Sequence, residues 1–265
     1  MNIEIFQIFY DENTRKNLDG GYIPLDNSTN DRPDWSEYWP IRNYLINNSI
    51  DDNVYYGFFS PRFKQKTNLD SKTVFEYIYS CQSDVISFSP YFDQAAFALN
   101  IFEQGEANHP GIGSIFNSAF SILSPEINLQ NIIMNSSGTI FCNYFVAKGK
   151  IWKIWFKYCE IIFEICENDS NQYHKILSQT INHRGISYPS KVFIIERMIS
   201  FLLCFPDNQW KIKAYNPLLL PMSGIPISKN RDELVKLDAL KMAFKATGSI
   251  EYLNLFFQIR NSLIY

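Results

Sequence analysis

The 265 residues hold no GxxxxGK[ST] loop, no GxGxxG turn, no GxSxG elbow and no HExxH pair. These absences exclude the usual Gly-rich phosphate cradles, the exposed serine of the hydrolase elbow and the paired imidazoles of zinc peptidases. Histidine is scarce, at three residues, and no two have metal-ligand spacing. The five cysteines are an odd count without zinc-site spacing, and most sit in apolar runs, as buried thiols do in a reducing compartment. No strong charge excess stands out either: the formal charge is −3, which leaves no electrostatic footprint for duplex nucleic acid. Long hydrophobic runs are missing as well. Lys153, Lys157 and Glu160 interrupt one apolar stretch and Glu196-Arg197 the other, so no membrane span is expected. The first six residues lack the charged and apolar regions of a secretion signal. The expected location is the cytoplasm, with contact at the inner face of the membrane left open.

What is present is an ordinary globular balance, 46% hydrophobic and 19% charged, long enough to bury a substantial core in one large domain. Aromatic residues make up 16% and are mostly Tyr and Phe. An AT-rich coding sequence accounts for that, and so does a cleft lined with rings for a base or a sugar. Residues 3–9 alternate in polarity and read as a strand, followed by a short extended piece at 22–26. A helix is expected at 37–47, capped by Asp34 or Ser36, and a buried strand at 54–60. A short helix at 73–81 precedes a strand at 84–90 and a helix at 94–104. Beyond a loop at 108–113, the pattern predicts a helix at 114–123, a strand at 141–147 and an amphipathic helix at 150–167. Further helices are expected at 191–204, 231–246 and 249–264. Strands alternate with helices through residue 150, and residues 151–265 are mainly helical. That order predicts an α/β fold with a mostly parallel central sheet and a helical C-terminal part.

In open α/β sheets ligands sit beyond the carboxyl ends of the strands. The residues there are Phe9 and Tyr10 after the first strand, Arg62 after the one at 54–60, and Ser89 and Asp93 after the one at 84–90. Aromatics, hydroxyls, an arginine and a carboxylate are what a base, a diphosphate and a sugar need. Polar residues after strands are common in any such fold, however. Glu103 and Glu106 stand three residues apart with His109 just beyond. The bland reading is a solvated helix end with Gly105 as its cap. The functional one is a general base for a sugar hydroxyl with an imidazole to orient it. Glu196 and Arg197 sit side by side in an apolar helix, where charges must pair or face a cleft.

Three stretches together resemble a known family: Gly21–Asp26, Asp34–Ile41 and Tyr55–Phe63, the last reading YYGFFSPRF. In order, they are similar to the "YIP" piece, the Trp-bearing "W/F-x-E-L/Y" helix and the "YIGLCHYRRYF" strand of bacterial capsule and O-antigen polysaccharide glycosyltransferases. Further on, Asp84-Val85-Ile86 with Glu103 and His109, then Met134–Lys148, then Ile195–Met198 resemble that family's later segments. The resemblance covers roughly residues 1–205 and marks a distant relative. It implies a GT-A-like fold and transfer of a sugar from a nucleotide donor, a UDP-sugar first among them, to a polysaccharide or glycolipid acceptor. Under it, Phe9, Tyr10 and Asp26 hold the nucleoside, and Arg62 and Arg197 the diphosphate. Ser89, His109 and Asn143 contact donor or acceptor, and Asp93, Glu103, Glu106 or Glu196 serves in catalysis. Only one arginine remains where the family has a basic cluster, and no Asp-x-Asp occurs. A role for Mn²⁺ or Mg²⁺ is therefore open. Two alternatives stand beside this one. The first is an inactive carbohydrate-binding relative. The second is another nucleotide-using transferase, for which the carboxylate pair of nucleotidyltransferases and the Gly-rich loop of methyltransferases are both absent.

Overall fold

The alternating N-terminal segment forms β1 (Ile3–Phe9), followed by a short helix α1 (Glu12–Lys16) that Asp11 caps. The computed structural model describes residues 1–183, 185–205 and 207–263. It continues with β2 (Ile23–Asp26), α2 (Tyr38–Asn47), β3 (Tyr55–Phe59), α3 (Phe63–Thr67), α4 (Ser71–Ser80) and β4 (Val85–Ser87). Three helices follow, α5 (Phe92–Phe97), α6 (Ile101–Asn108) and α7 (Ile112–Leu123), then β5 (Phe145–Lys148) and the long α8 (Gly149–Cys166). Next come α9 (His174–Leu177), β6 (Thr180–His183), β7 (Ile186–Pro189) and α10 (Ser190–Leu202). The chain then forms β8 (Ile212–Ala214), α11 (Arg231–Thr247) and α12 (Ile250–Ser262).

Six strands make one sheet in the order β2-β1-β3-β5-β4-β8, and β6 and β7 pair as a separate antiparallel hairpin. β1 is parallel to β2 and β3, and β4 to β8, whereas β5 runs against both of its neighbours. The sheet is thus mostly parallel and flanked by helices, an α/β architecture. One edge of it collects the carboxyl ends of five strands, and β5 alone starts there.

Alternation along the strands feeds two cores. Phe6, Ile8, Tyr56, Phe58, Phe145 and Ala147 face the larger one, where α2, α7, α8 and α10 supply Ile41, Phe116, Trp152 and Ile194. Ile5, Tyr55, Phe59, Ile86 and Val146 face the other, covered by Phe63, Val74 and Ile78 of α3 and α4. Each such side chain, fully buried, stabilises the fold by about 1.5–3 kcal/mol. A third cluster, with Phe92, Ala96, Leu237 and Phe256, fastens α11 and α12 to α5.

Several expected elements differ. The helix predicted at 94–104 is two helices, because Asn100 caps a new one. Its side chain accepts from the Phe102 and Glu103 amides, each at 2.9 Å, and donates to the Leu129 and Ile132 carbonyls. Gly105 therefore lies inside α6, not at a helix end. The predicted strand at 84–90 is confined to Val85–Ser87. The one at 141–147 begins only at Phe145, since Cys142 and Asn143 take left-handed backbone. Asp34 does not cap α2. It accepts instead from Arg32 and Lys191, and Glu37 is the capping position without a side-chain bond. The hairpin and β8 were not expected, and residue 264 of the predicted last helix lies outside the described residues. Among those described, no helix is long and apolar enough to cross a membrane.

Candidate functional site

The strand-exit edge holds a cavity of about 750 Å³. β3 runs out into Ser60-Pro61-Arg62, β4 into the segment ending at Tyr91, and the reversed β5 brings Phe141 and Cys142 to the same place. α6 and α10 close the sides with Gln104, His109, Glu196 and Arg197, and Pro221–Ser223, beyond β8, complete the wall. Four residues expected from the sequence therefore meet here: Arg62, His109, Glu196 and Arg197.

Three cations line the cavity. Arg62 is exposed, with no ion pair or hydrogen bond from its guanidinium among the described residues. Lys66 lies one turn further along α3, on the same face. Its Nζ donates to Cys142 Sγ at 3.1 Å and stands 5.7 Å from the centre of the Tyr144 ring. Burial opposes the charge on Lys66, but Cys142 and Glu196 outweigh it, so its pKa is raised. Burial also pushes the Cys142 thiol up to about 11, which keeps it neutral at pH 7.

Arg197 is buried and held by three hydrogen bonds. Its Nη1 donates to the Phe193 carbonyl at 3.1 Å, Nη2 to Gln104 Oε1 at 3.2 Å and Nε to the Ile101 carbonyl at 3.4 Å. The guanidinium carbon stands 4.8 Å from the centre of the Phe116 ring. Burial lowers its pKa to about 10, so it stays charged at neutral pH. Gly105 makes this possible: an added Cβ there would come within 2.6 Å of the Phe116 ring and 3.0 Å of Arg197 Nε and Nη2.

Glu196 behaves differently from its neighbour. Successive helical residues point about 100° apart, so Arg197 enters the wall while Glu196 lines the cavity, its side chain 31% exposed. The two approach only to 3.9 Å, and the Glu196 carboxylate accepts no hydrogen bond among the described residues. Burial raises its pKa; the nearby Arg197 charge opposes this, Glu37 adds to it, and Lys66 opposes it. A carboxylate with an elevated pKa and no accepted hydrogen bond among the described residues, in a cavity that three cations also line, has the properties of a general base that works on an anionic ligand.

Part of the backbone strain lies in the same place. Tyr91 (φ 69°), Cys142 (φ 59°) and Asn143 (φ 53°) all occupy left-handed backbone, which costs an ordinary residue roughly 1–2 kcal/mol. Tyr91 and Cys142 line the cavity. Asn143 is buried, and its Oδ1 has no hydrogen-bond partner among the described residues. His109 ends α6, buried, with its ring 4.3 Å from that of Phe193.

The remaining expected residues are occupied elsewhere. Asp93 is completely buried and accepts from the Ser223 amide, the Ser223 hydroxyl and the Ser228 hydroxyl, which pins the 223–228 segment to α5. Glu103 accepts from the Leu99 amide and from Arg260 of α12. Glu106 accepts from the amides of Gly111 and Gly113, where α7 begins. These three carboxylates brace loops and helix ends. Ser89 Oγ accepts from the Phe141 amide at 2.8 Å and so holds the two strand-end loops together. Phe9, Tyr10 and Asp26 share the strand-exit edge but are outside the cavity lining, at the end of β1, which adjoins β3, and of β2 on its far side. Phe9 is buried under Arg15, and hydrogen bonds from Ser28 lower the pKa of Asp26.

Tyr91, which follows the strand at 84–90 in the sequence, also lines the cavity, whereas sequence reasoning missed Lys66, Cys142 and the amides Gln94 and Gln104. Only Lys66 carried a local signal, its spacing of four from Arg62 just after a strand. Among the described residues no group of three or more His, Cys, Asp or Glu side chains comes together. No family model, curated protein or solved structure matches the chain.

Proposed function

We propose that the chain is a glycosyltransferase with a GT-A-like fold, and that it moves a sugar from a nucleotide donor, a UDP-sugar first among them, to a hydroxyl of a glycan or glycolipid. One observation carries this reading: a large cavity at the strand-exit edge is lined by three cations and by a carboxylate that accepts no hydrogen bond among the described residues. In the reaction, Arg62 and Lys66 face the donor diphosphate and Arg197 adds charge from the wall. As the acceptor oxygen bonds to the anomeric carbon, the bond from that carbon to the diphosphate oxygen breaks. The electron pair leaves on the diphosphate, where the cations meet it, and the acceptor proton passes to Glu196. Stabilising charge that develops in this way is worth about 2.7–4 kcal/mol per well-placed donor. Phe9, Tyr10 and Asp26, on the same edge, are the nucleoside end in this reading. Cytoplasmic work beside the inner membrane face and a role in surface glycan synthesis follow from the same proposal.

The test is a thermal-shift screen against UDP, GDP, CDP, CMP, ADP and S-adenosylhomocysteine, each with and without Mn²⁺. A ligand at a hundredfold excess over its Kd stabilises the folded state by about 2.7 kcal/mol. A shift with one nucleoside diphosphate or CMP, cut by about half or more in Arg62→Ala, is the expected result. A shift with S-adenosylhomocysteine alone, or none with any nucleotide, would overturn the proposal. A shift that needs Mn²⁺ would add an ion to the site.

A further inference from the structure

A second cavity, of about 640 Å³, lies behind one wall of the first. That is roughly four times the ~150 Å³ that holds a benzene molecule in an engineered protein core. Phe97 and Ala98 at the end of α5, Ala107 on α6, and Ile225, Pro226 and Ile227 before α11 give it a surface mainly of carbon. Its two charged members, Glu103 and Arg260, neutralise each other at 2.8 Å.

The wall between the cavities has a definite chemistry. Gln94, Gln104, Ala107 and Asn108 line both. Gln104 Nε2 donates to Gln94 Oε1 at 2.5 Å, and Asn108 Nδ2 donates to the same oxygen at 3.0 Å. Gln104 Oε1 accepts from Arg197. A row of amides thus runs from the charged wall of the first cavity to the lip of the apolar one.

We propose that the second cavity takes the alkyl chain of a glycolipid acceptor whose sugar lies across the amide row. This rests on the glycosyltransferase reading and selects the acceptor class within it. Side-chain amides offer both donors and acceptors, which suits sugar hydroxyls. The cations on one side serve the donor diphosphate, and the carbon surface on the other gains from excluding water around a chain. A free glycan would use the amides and leave the apolar cavity without a function.

The test is calorimetric titration of the full chain with methyl β-D-glucoside and with octyl β-D-glucoside below its micelle-forming concentration. A buried methylene tightens binding by up to roughly fourfold, so the octyl compound is expected to bind at least tenfold more tightly. Ile225→Ser touches only the apolar cavity, and Pro226→Trp adds bulk to that cavity alone from an exposed position. Both variants should lose most of the gain, with unchanged melting temperature for Pro226→Trp. Equal binding of the two glucosides, or a gain intact in both variants, overturns the proposal. UDP titrated in parallel separates the failures. Nucleotide binding without chain dependence sinks only the acceptor assignment, whereas chain dependence without nucleotide binding sinks the glycosyltransferase reading and with it the role of the bound glycolipid as acceptor.

Discussion

Replacing Gly105 with alanine sets two effects of opposite sign against each other. In the interior of α6, alanine gains about 1 kcal/mol of helix propensity over glycine. The new Cβ would meet Phe116 Cε2 at 2.6 Å and the Arg197 guanidinium at 3.0 Å. Phe116 is fully buried and cannot swing into solvent, and Arg197 is held by three hydrogen bonds. Overpacking of this kind costs about 1–3 kcal/mol. Subtracting the propensity gain leaves a net loss of up to about 2 kcal/mol. For a chain of this size each kcal/mol moves the melting temperature by roughly 2–4 °C, so calorimetry should record a fall of up to about 8 °C. Because the displaced group is Arg197, the thermal shift with UDP should shrink as well. A rise in melting temperature, with the nucleotide response intact, would show that α6 and α10 do not approach as closely as described.

Three further substitutions separate the roles assigned to the other residues. Arg62→Ala, at an exposed and unbonded side chain, should leave stability within about 0.5 kcal/mol but weaken UDP binding about tenfold or more, as loss of a charged hydrogen bond does; unchanged binding by titration would remove Arg62 from the site. Glu196→Gln should lower turnover of the donor by roughly 10²–10⁴ with UDP binding kept. Its pH behaviour has a definite sign. Burial raises the Glu196 pKa, so the folded chain keeps a proton that the unfolded chain releases above its ordinary value of 4.5. The contribution of Glu196 to stability is therefore complete below that value and is lost as pH rises through the folded pKa. Urea titrations should show this slope in the native chain and not in Glu196→Gln. Asp93→Ala strips three serine donors of their acceptor and should destabilise by about 3 kcal/mol; lost turnover at unchanged stability would restore Asp93 as a base.

The elements that sequence periodicity predicts well are the long ones. α8, α10 and α11 each extend over three turns or more, and β1 and β3 have patterns that local neighbours do not disturb. The failures are short or set from a distance. β8 has three residues, and only its ladder with β4 makes Ile212–Ala214 a strand. Asn100 divides a helix because it also reaches Leu129 and Ile132, some thirty residues away. The site shows the same division. Arg62, His109, Glu196 and Arg197 could be named in advance because each is chemically conspicuous in its own segment. The contact between Lys66 and Cys142, which are 76 residues apart, depends on the reversal of β5, and nothing in either segment announces it. Asp93, Glu103 and Glu106 looked available because their partners, Ser223, Arg260 and Gly113, could not be assigned from spacing.

The cavity draws its walls from residues 62–66, 91–109, 140–142, 193–197 and 221–223. No stretch of chain contains enough of it to bind anything alone. The site is complete only once α10 and the segment after β8 have docked on a sheet begun at residue 3. A ligand that fits it would act as a seal on the finished chain, holding closed at once every interface whose opening would dismantle its walls.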